Sequence, residues 1–360
     1  MRVGIVTITN GPYNYGNQLQ NCAVIEILGN LNIKAETLFF VYGAEYLASI
    51  KHKMKNVIFS IFACGDFLQA RRELAFGKFS RQYVKYTKPI KKYVSRKMIN
   101  RYDYFICGSD QIWNPYFSTD DVMWNYYLLS FVPEFKRISL AASIGTSNIP
   151  NEKKHAFVDM LNGYKSLSVR EDTGAELIKL ITGRMAETVI DPTLMLSKEY
   201  WNKIAKKTKK VDCDRKYVIV YFLGDKSEKV FNQMEELKKM GYEIYNFLEK
   251  SQPYIYTAGP SEFIYLISHA QLILTDSFHA CVFSFIFNKP FVVYDRKGTQ
   301  CSMNSRIETL LKKFDLERKY ANSNLENDIW EHNYEKGYEQ LELERTKVLD
   351  FLRKALNVDM

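Results

Sequence analysis

Short runs of β-branched and aromatic residues alternate with helix-length segments along most of the chain, and several of those runs end in a cluster of polar residues. The first is VGIVTIT at 3–9. A turn-rich NGPYNYG at 10–16 follows, then NQLQNCAVIEILGNL with apolar residues at helical spacing, then KAETLFF at 34–40. This order is a βαβ opening. Strand patterns resume at 102–110, 137–143, 166–170 and 187–191, with helical segments near 151–163 and 172–182 between them. A lysine-rich stretch at 202–216 breaks the alternation. A second series follows: YVIVYFLG at 217–224, SEKVFNQMEELKKMG as helix, YEIYNFL as strand, GPSEFIYLISHA as helix, QLILTD as strand, an apolar helix through 287 and PFVVYD at 290–295. The fold class expected is α/β, with two Rossmann-like domains built on mostly parallel sheets. The first domain is expected over 1–201 with a helical insertion at 46–101. A linker at 202–216, a second domain at 217–304 and helices from 305 to 360 complete the chain.

In such sheets ligands bind beyond the carboxyl ends of the strands. NYGNQ brings Asn14, Gly16 and Asn17 to the start of a helix, as a phosphate-cradling loop would, although GxGxxG and the P-loop lysine are missing. GSDQIWNP at 108–115 follows a buried-type strand. Its Gly108 permits a tight turn, and Ser109, Asp110 and Gln111 suit sugar hydroxyls or, equally, a hydrogen-bonded turn. Trp113 is an apolar platform in the first case and a core tryptophan in the second, which local pattern favours. Arg170 closes SLSVR, where its fork suits a carboxylate or phosphate, or else a salt bridge to Glu171, Asp172 or another carboxylate. In LILTDSFHACVFSFIF at 272–287, Asp276 or Ser277 caps a helix and His279 falls in its first turn. Free N–H groups and the positive helix end there suit an anion, and His279 suits proton transfer. A buried histidine bonded to Asp276 is the alternative.

Composition narrows the field. The six cysteines (22, 64, 107, 213, 281 and 301) form no CxxC pair, and the five histidines (52, 155, 269, 279 and 332) have no ligand spacing, so no metal site is expected. No run of 18 apolar residues is present and the N-terminus carries no signal pattern, so a cytoplasmic protein with reduced thiols is expected. The formal charge of +9 is concentrated at 46–101, where fourteen Lys and Arg stand against Asp66 and Glu73. That segment suits an anionic partner or a solvated basic helical face. Its KHKMKNVIFSIFACGDFLQARR combines cations with a short apolar run, as an interfacial helix on anionic lipid would.

Taken together, NYGNQLQ, ICGSDQIWNP, SVREDTGAELIKLITG, VIDPTLML, LILTDSFHACVFSFIFNKPFVV and NSRIETLL resemble the polysaccharide pyruvyl transferase family, in order, from about residue 3 to 315. The resemblance implies a GT-B-like pair of Rossmann domains and transfer of the pyruvyl group of phosphoenolpyruvate to sugar hydroxyls, usually as a cyclic ketal. The donor is then a substrate and no cofactor is needed. The acceptor is a glycan under assembly, often lipid-linked, at the inner face of the membrane. Carried over by position, Arg170 matches the family arginine for phosphoenolpyruvate, His279 the histidine of DSFHG, and Arg306 in NSRI a further arginine. Asp110 is then expected to act with Ser109 on the acceptor. Ala280 and Cys281 depart from the family's glycine and common threonine. A nucleotide-sugar glycosyltransferase and a non-catalytic glycan-binding protein are the competing classes. Nucleic acid is not expected as a partner, since the tyrosines among the cations (Tyr83, Tyr86, Tyr93) come with no nucleic-acid-binding signature. The sequence sets no oligomeric state.

Overall fold

The computed structural model describes residues 1–9, 14–41, 67–91, 93–116, 121–146, 148–207, 215–297, 304–323 and 328–358. Its strands and helices run in the order β1 (Arg2–Val6), α1 (Tyr15–Asn30), β2 (Lys34–Thr37), α2 (Phe67–Tyr83), α3 (Arg96–Ile99), β3 (Tyr104–Cys107), α4 (Asp121–Tyr127) and β4 (Arg137–Ser139). Next come α5 (Asn151–Asn162), β5 (Ser168–Val169), α6 (Asp172–Thr182), β6 (Glu187–Thr188) and α7 (Lys198–Ile204). The remainder is β7 (Tyr217–Tyr221), α8 (Glu228–Lys239), β8 (Glu243–Asn246), α9 (Pro253–Tyr256), α10 (Pro260–His269), β9 (Leu272–Thr275), α11 (Phe278–Ile286), β10 (Phe291–Val293), α12 (Ser305–Lys313) and α13 (Glu335–Leu356).

The chain forms two compact units: Met1–Ile50 with Ser80–Met195 and Glu342–Met360, and Lys51–Phe79 with Leu196–Leu341. In the first unit a parallel sheet has the order β2-β1-β3-β4. Parallel bridges from Ile138 to Ser166 and from Ala142 to Val169 place β5 beside β4, and β6 pairs with β5. Helices cover both faces of such a sheet, which is why β1 is a continuous apolar run and not an alternating one. Gly4 is needed within it, because a Cβ there would lie 2.8 Å from the Leu38 side chain and 2.9 Å from the Phe105 ring. Buried Trp113, Trp124, Phe105 and Phe157 fill the core.

The second unit has the parallel order β10-β9-β7-β8. Every residue of β7 and β9 is buried. Both sheets start in the middle, at β1 and at β7. From there the chain goes first to one side and then crosses to the other, so each has a topological switch point, between β1 and β3 and between β7 and β9.

The basic insertion differs from the all-helical expectation for 46–101. Among the described residues the helices there are α2 and the short α3, whereas 84–91 runs along the sheet edge outside any helix, with parallel bridges from Thr37 to Tyr86 and from Phe40 to Ile90. Pro89 disfavours helix at the residue before it, and Val84, Ile90 and Val94 find burial against the sheet. The lipid-like apolar run at 57–68 lies almost wholly outside the described residues. The units also divide differently from the expected boundaries. Residues 51–79 cluster with the second unit, where buried Arg72 donates to the carbonyls of Phe247 and Tyr256. So does α7, whose Trp201 packs edge-on to Phe283 with ring centroids 5.0 Å apart. The end of α13 belongs to the first unit, where Arg345 Nε donates to the Leu194 carbonyl at 2.8 Å. Residues 208–214 of the expected linker lie outside the described residues.

Candidate active site

At the switch point of the first unit the ends of β1 and β3 are tied by one fully buried amide. Gln20 Nε2 donates to Thr7 Oγ1 at 2.7 Å, and Gln20 Oε1 accepts the Ser109 N–H at 3.1 Å. Gly108 makes that approach possible: its φ is +135°, and a Cβ would stand 2.1 Å from the Leu140 carbonyl oxygen. The turn delivers Ser109 and Asp110 to a buried charge cluster. Arg170 Nη1 lies 2.6 Å from Asp191 Oδ2, and Arg170 Nη2 lies 3.2 Å from Asp110 Oδ1. Asp191 takes further donors from Ser109 Oγ at 2.9 Å and from the Thr193 N–H and Oγ1 at 2.9 and 2.7 Å. Burial works against the charge on Arg170, but Asp191, Asp110 and Glu171 together outweigh it, and the guanidinium is held above its ordinary value.

Glu171 fixes the neighbouring loop. Its Oε1 accepts from Ser143 Oγ at 3.1 Å and from the Ile144 and Gly145 N–H groups at 2.7 and 2.8 Å. That loop in turn holds the catalytic candidate, since the Ser143 N–H donates to the Asp110 carbonyl and the Trp113 N–H donates to the Ser143 carbonyl. Gly145, at φ +65°, lies under the Gln111 amide, where a Cβ would be 2.4 Å from Nε2.

In the second unit Ser277 is the N-cap residue of α11, and Phe278 and His279 form its first turn. Asp276 is not turned toward the helix. Its two oxygens accept the Leu223 and Gly224 N–H groups at 2.7 and 2.8 Å, and Arg296 bonds both its carboxylate and its carbonyl. The ends of β7, β9 and β10 are therefore locked together by one carboxylate. His279 is 5% exposed and packs edge-on to Phe278, while the Arg306 guanidinium lies 6.0 Å from the Phe278 ring centroid. Histidine, arginine and helix N-terminus thus converge on Phe278, a combination suited to phosphate or carboxylate.

The residues named from sequence fall into four groups. Asp110 and Arg170 meet in the first unit; His279, Ser277 and Arg306 cluster in the second, with Asp276 behind them. Asn14 serves α1 as its N-cap, accepting the Gly16 N–H at 2.8 Å, with Asn17 half-buried in the first turn. Three candidates face inward. Ser109 is fully buried and its hydroxyl is engaged by Asp191 and the Ala141 carbonyl, so the sugar-binding role expected for it gives way to a structural one. Gln111 is buried over Gly145. Trp113 is fully buried, donates to the Tyr127 carbonyl and meets Phe157 and Tyr164 edge-on, so it is core and not a platform. Sequence reading gave no role to Gln20, Asp191 or Arg296, and offered Glu171 only as a salt-bridge partner for Arg170. Asp191 and Arg296 follow strand ends, which is a usable signal; Gln20 sits inside a helix and gives none.

Two Rossmann-like sheets in one chain define the GT-B class of α/β protein. The chain is similar in fold to a protein described as a UDP-N-acetylglucosamine 2-epimerase from Listeria monocytogenes (TM-score 0.51, 9% identity, covering 99% of this chain and 89% of that one). Lower similarity extends to UDP-GlcNAc 2-epimerase from Neisseria meningitidis (TM-score 0.43, 12% identity, 99% and 93% covered) and to the E. coli ADP-heptose LPS heptosyltransferase II (TM-score 0.38, 12% identity, 99% and 98% covered). No curated protein matches the sequence. The chain belongs to the polysaccharide pyruvyl transferase family, whose profile matches residues 14–298 and so includes both clusters except Arg306.

Proposed function

We propose that this transferase moves the pyruvyl group of phosphoenolpyruvate to hydroxyls of a glycan acceptor and forms a pyruvate ketal. The observation that carries this reading is the convergence of His279, Arg306 and the α11 N-terminus on Phe278, in a chain of this family. Phosphoenolpyruvate has a phosphate and a carboxylate, and both need cationic or N–H partners. Protonation of its methylene carbon makes the adjacent carbon electrophilic. A sugar hydroxyl adds there, the bond to phosphate oxygen breaks, and a second hydroxyl closes the ketal. Of the two hydroxyl protons, one replaces the proton given to carbon and the other leaves with phosphate.

In this scheme His279 contacts the phosphate or supplies the proton, Arg306 binds the anion, Arg170 clamps the donor and Asp110 accepts a hydroxyl proton. The reaction asks for no cofactor, and among the described residues no group of three His, Cys, Asp or Glu could hold a metal ion. Thermal shift discriminates the reading: stabilisation by phosphoenolpyruvate and not by UDP-sugars supports it, and the reverse overturns it.

The acceptor is proposed to be lipid-linked, with the enzyme in the cytoplasm at the membrane's inner face. No described helix is long and apolar enough to cross a membrane. Supporting peripheral contact, Arg81, Lys85, Lys88, Lys91, Arg96 and Lys97 are exposed along an edge segment with no acidic residue between 80 and 101, beside Tyr93 at 69% exposure. Lysines also guard sheet edges against pairing, so sedimentation with anionic and neutral vesicles decides between the two roles. Binding to anionic vesicles alone supports the contact; binding to neither removes it.

A further inference from the structure

Two carboxylates stand at the carboxyl edge of the second unit's sheet, one beside each helix that carries a residue of the anion site. Asp276 leads directly into α11 and His279. Asp295 follows the end of β10 and reaches the start of α12, where Arg306 is the second residue. Its Oδ1 accepts Asn304 Nδ2 at 2.6 Å and the Tyr320 hydroxyl, and its Oδ2 accepts Asn322 Nδ2 at 2.7 Å. Asn304 is the N-cap residue of α12, yet its side chain makes no cap bond to that helix. Asparagine is among the strongest capping residues, so this amide is given to a tertiary bond at the expense of a favourable local one.

The far side of the cluster is itself fixed. Tyr320 bridges Val293 in parallel, and the Ala321 N–H donates to the Val293 carbonyl at 2.8 Å. Burial, followed by the bond to Asp295, raises the Tyr320 phenol above its ordinary value, so the hydroxyl stays a donor. Asp295 therefore joins the start of α12 to β10 and to the segment paired with it. Arg306 is buried, with its guanidinium 6.0 Å from the ring centroid of Phe278 in the first turn of α11. Ile307, Leu310 and Leu311 bury the apolar side of α12, but apolar contact is non-directional and fixes the place of a helix end less sharply than a hydrogen bond does.

We propose that Asp295 is a positioning residue for donor binding: through Asn304 it sets where the first turn of α12 lies, and so where Arg306 meets the anion. The proposal rests on the reading above that Arg306 binds phosphoenolpyruvate. Asp295 is anionic and its three partners are neutral, so direct contact with the donor would be repulsive; its effect runs through the helix. A guanidinium that must meet a phosphate or carboxylate in parallel bonds tolerates little displacement. Loosening the Asn304 bond then costs donor affinity and leaves acceptor binding as it was.

The test is calorimetric titration of phosphoenolpyruvate into the wild-type chain, Asn304→Ala, Asp295→Ala, Arg306→Ala and the Asn304→Ala, Arg306→Ala double variant, with kcat and both KM values measured alongside. Asn304→Ala removes only the amide and leaves the Asp295 charge in place, so it carries the test alone if Asp295→Ala fails to fold. The expected result is a Kd raised about tenfold in Asn304→Ala and in Asp295→Ala, corresponding to about 1.4 kcal/mol, with the donor KM raised and the acceptor KM unchanged. In the double variant the Asn304→Ala loss should disappear into that of Arg306→Ala, because the bond then has no guanidinium to position. If Asn304→Ala binds as wild type while Arg306→Ala binds weakly, or if the two losses add in full, the positioning role is overturned and Arg306 stands as a donor ligand. If Arg306→Ala binds as wild type, Arg306 is not a donor ligand and the proposal falls with that reading.

Discussion

Arg170 and Asp191 form the tightest contact of the first unit's charge cluster, Nη1 to Oδ2 at 2.6 Å, with 1% and 0% of their side chains exposed. A buried pair of this kind is costly to leave half-made, since the remaining charge has no water to turn to. Asp191→Ala is therefore expected to destabilise the chain by about 3–5 kcal/mol, read as an earlier denaturant midpoint. An unchanged midpoint would mean that Arg170 finds full compensation in Asp110 and Glu171.

Gly224 is placed under the carboxylate that locks the second unit's strand ends. A Cβ there would stand 2.4 Å from the Lys297 carbonyl oxygen and 2.7 Å from Arg296 Cγ. Gly224→Ala must push the segment carrying Arg296 off Asp276, and a loss of about 1–3 kcal/mol is expected. The melting temperature checks it, and a wild-type value would show that the segment yields without strain.

Alkaline pH should unfold the protein through groups held neutral by burial. Burial pushes the Cys107 thiol up from 9.0 to about 12, and the Tyr294 and Tyr338 phenols from 10.0 to about 12. Each ionises less readily folded than unfolded, so its contribution is complete below the unfolded value and is lost as pH rises through the folded one. Stability is expected to hold to about pH 9 and to fall steeply toward pH 12. Melting temperatures across that range test the sign; a rise with pH would contradict it.

Thiol mapping at pH 8 tests the same burial chemically. Cys22, Cys107 and Cys281 are buried, and burial also raises the Cys281 thiol. Alkylation of the native protein should leave all three unmodified until denaturant is added. Rapid native labelling of Cys107 would show its packing against the Tyr127 carbonyl to be open.

The two parallel sheets were legible from the alternation of β-branched runs with helix-length segments, because period and length alone separate strand from helix. The positions of Asp110, Arg170 and His279 were legible too, since polar residues ending apolar strands have few other uses. Their partners were not. Nothing local says that Asp191 lies beside Arg170, which depends on β5 pairing with β6 across an intervening helix. Asp276 illustrates the same limit: it stands where a helix cap would, and tertiary contacts with Leu223, Gly224 and Arg296 take its carboxylate instead. Ser109 shows the opposite error, where a residue that suits a sugar hydroxyl proves to be packed support behind the strand end, while Trp113 is the core residue that local pattern favours.

The central claim is tested most directly by incubating a pool of glycan acceptors with phosphoenolpyruvate and the purified protein, then weighing the products by mass spectrometry. The account predicts acceptors heavier by one pyruvate less one water, with phosphate released in equal amount, and neither product with His279→Ala. Phosphate and pyruvylated acceptor formed undiminished by His279→Ala, or acceptors modified only when a nucleotide sugar is supplied, would contradict it.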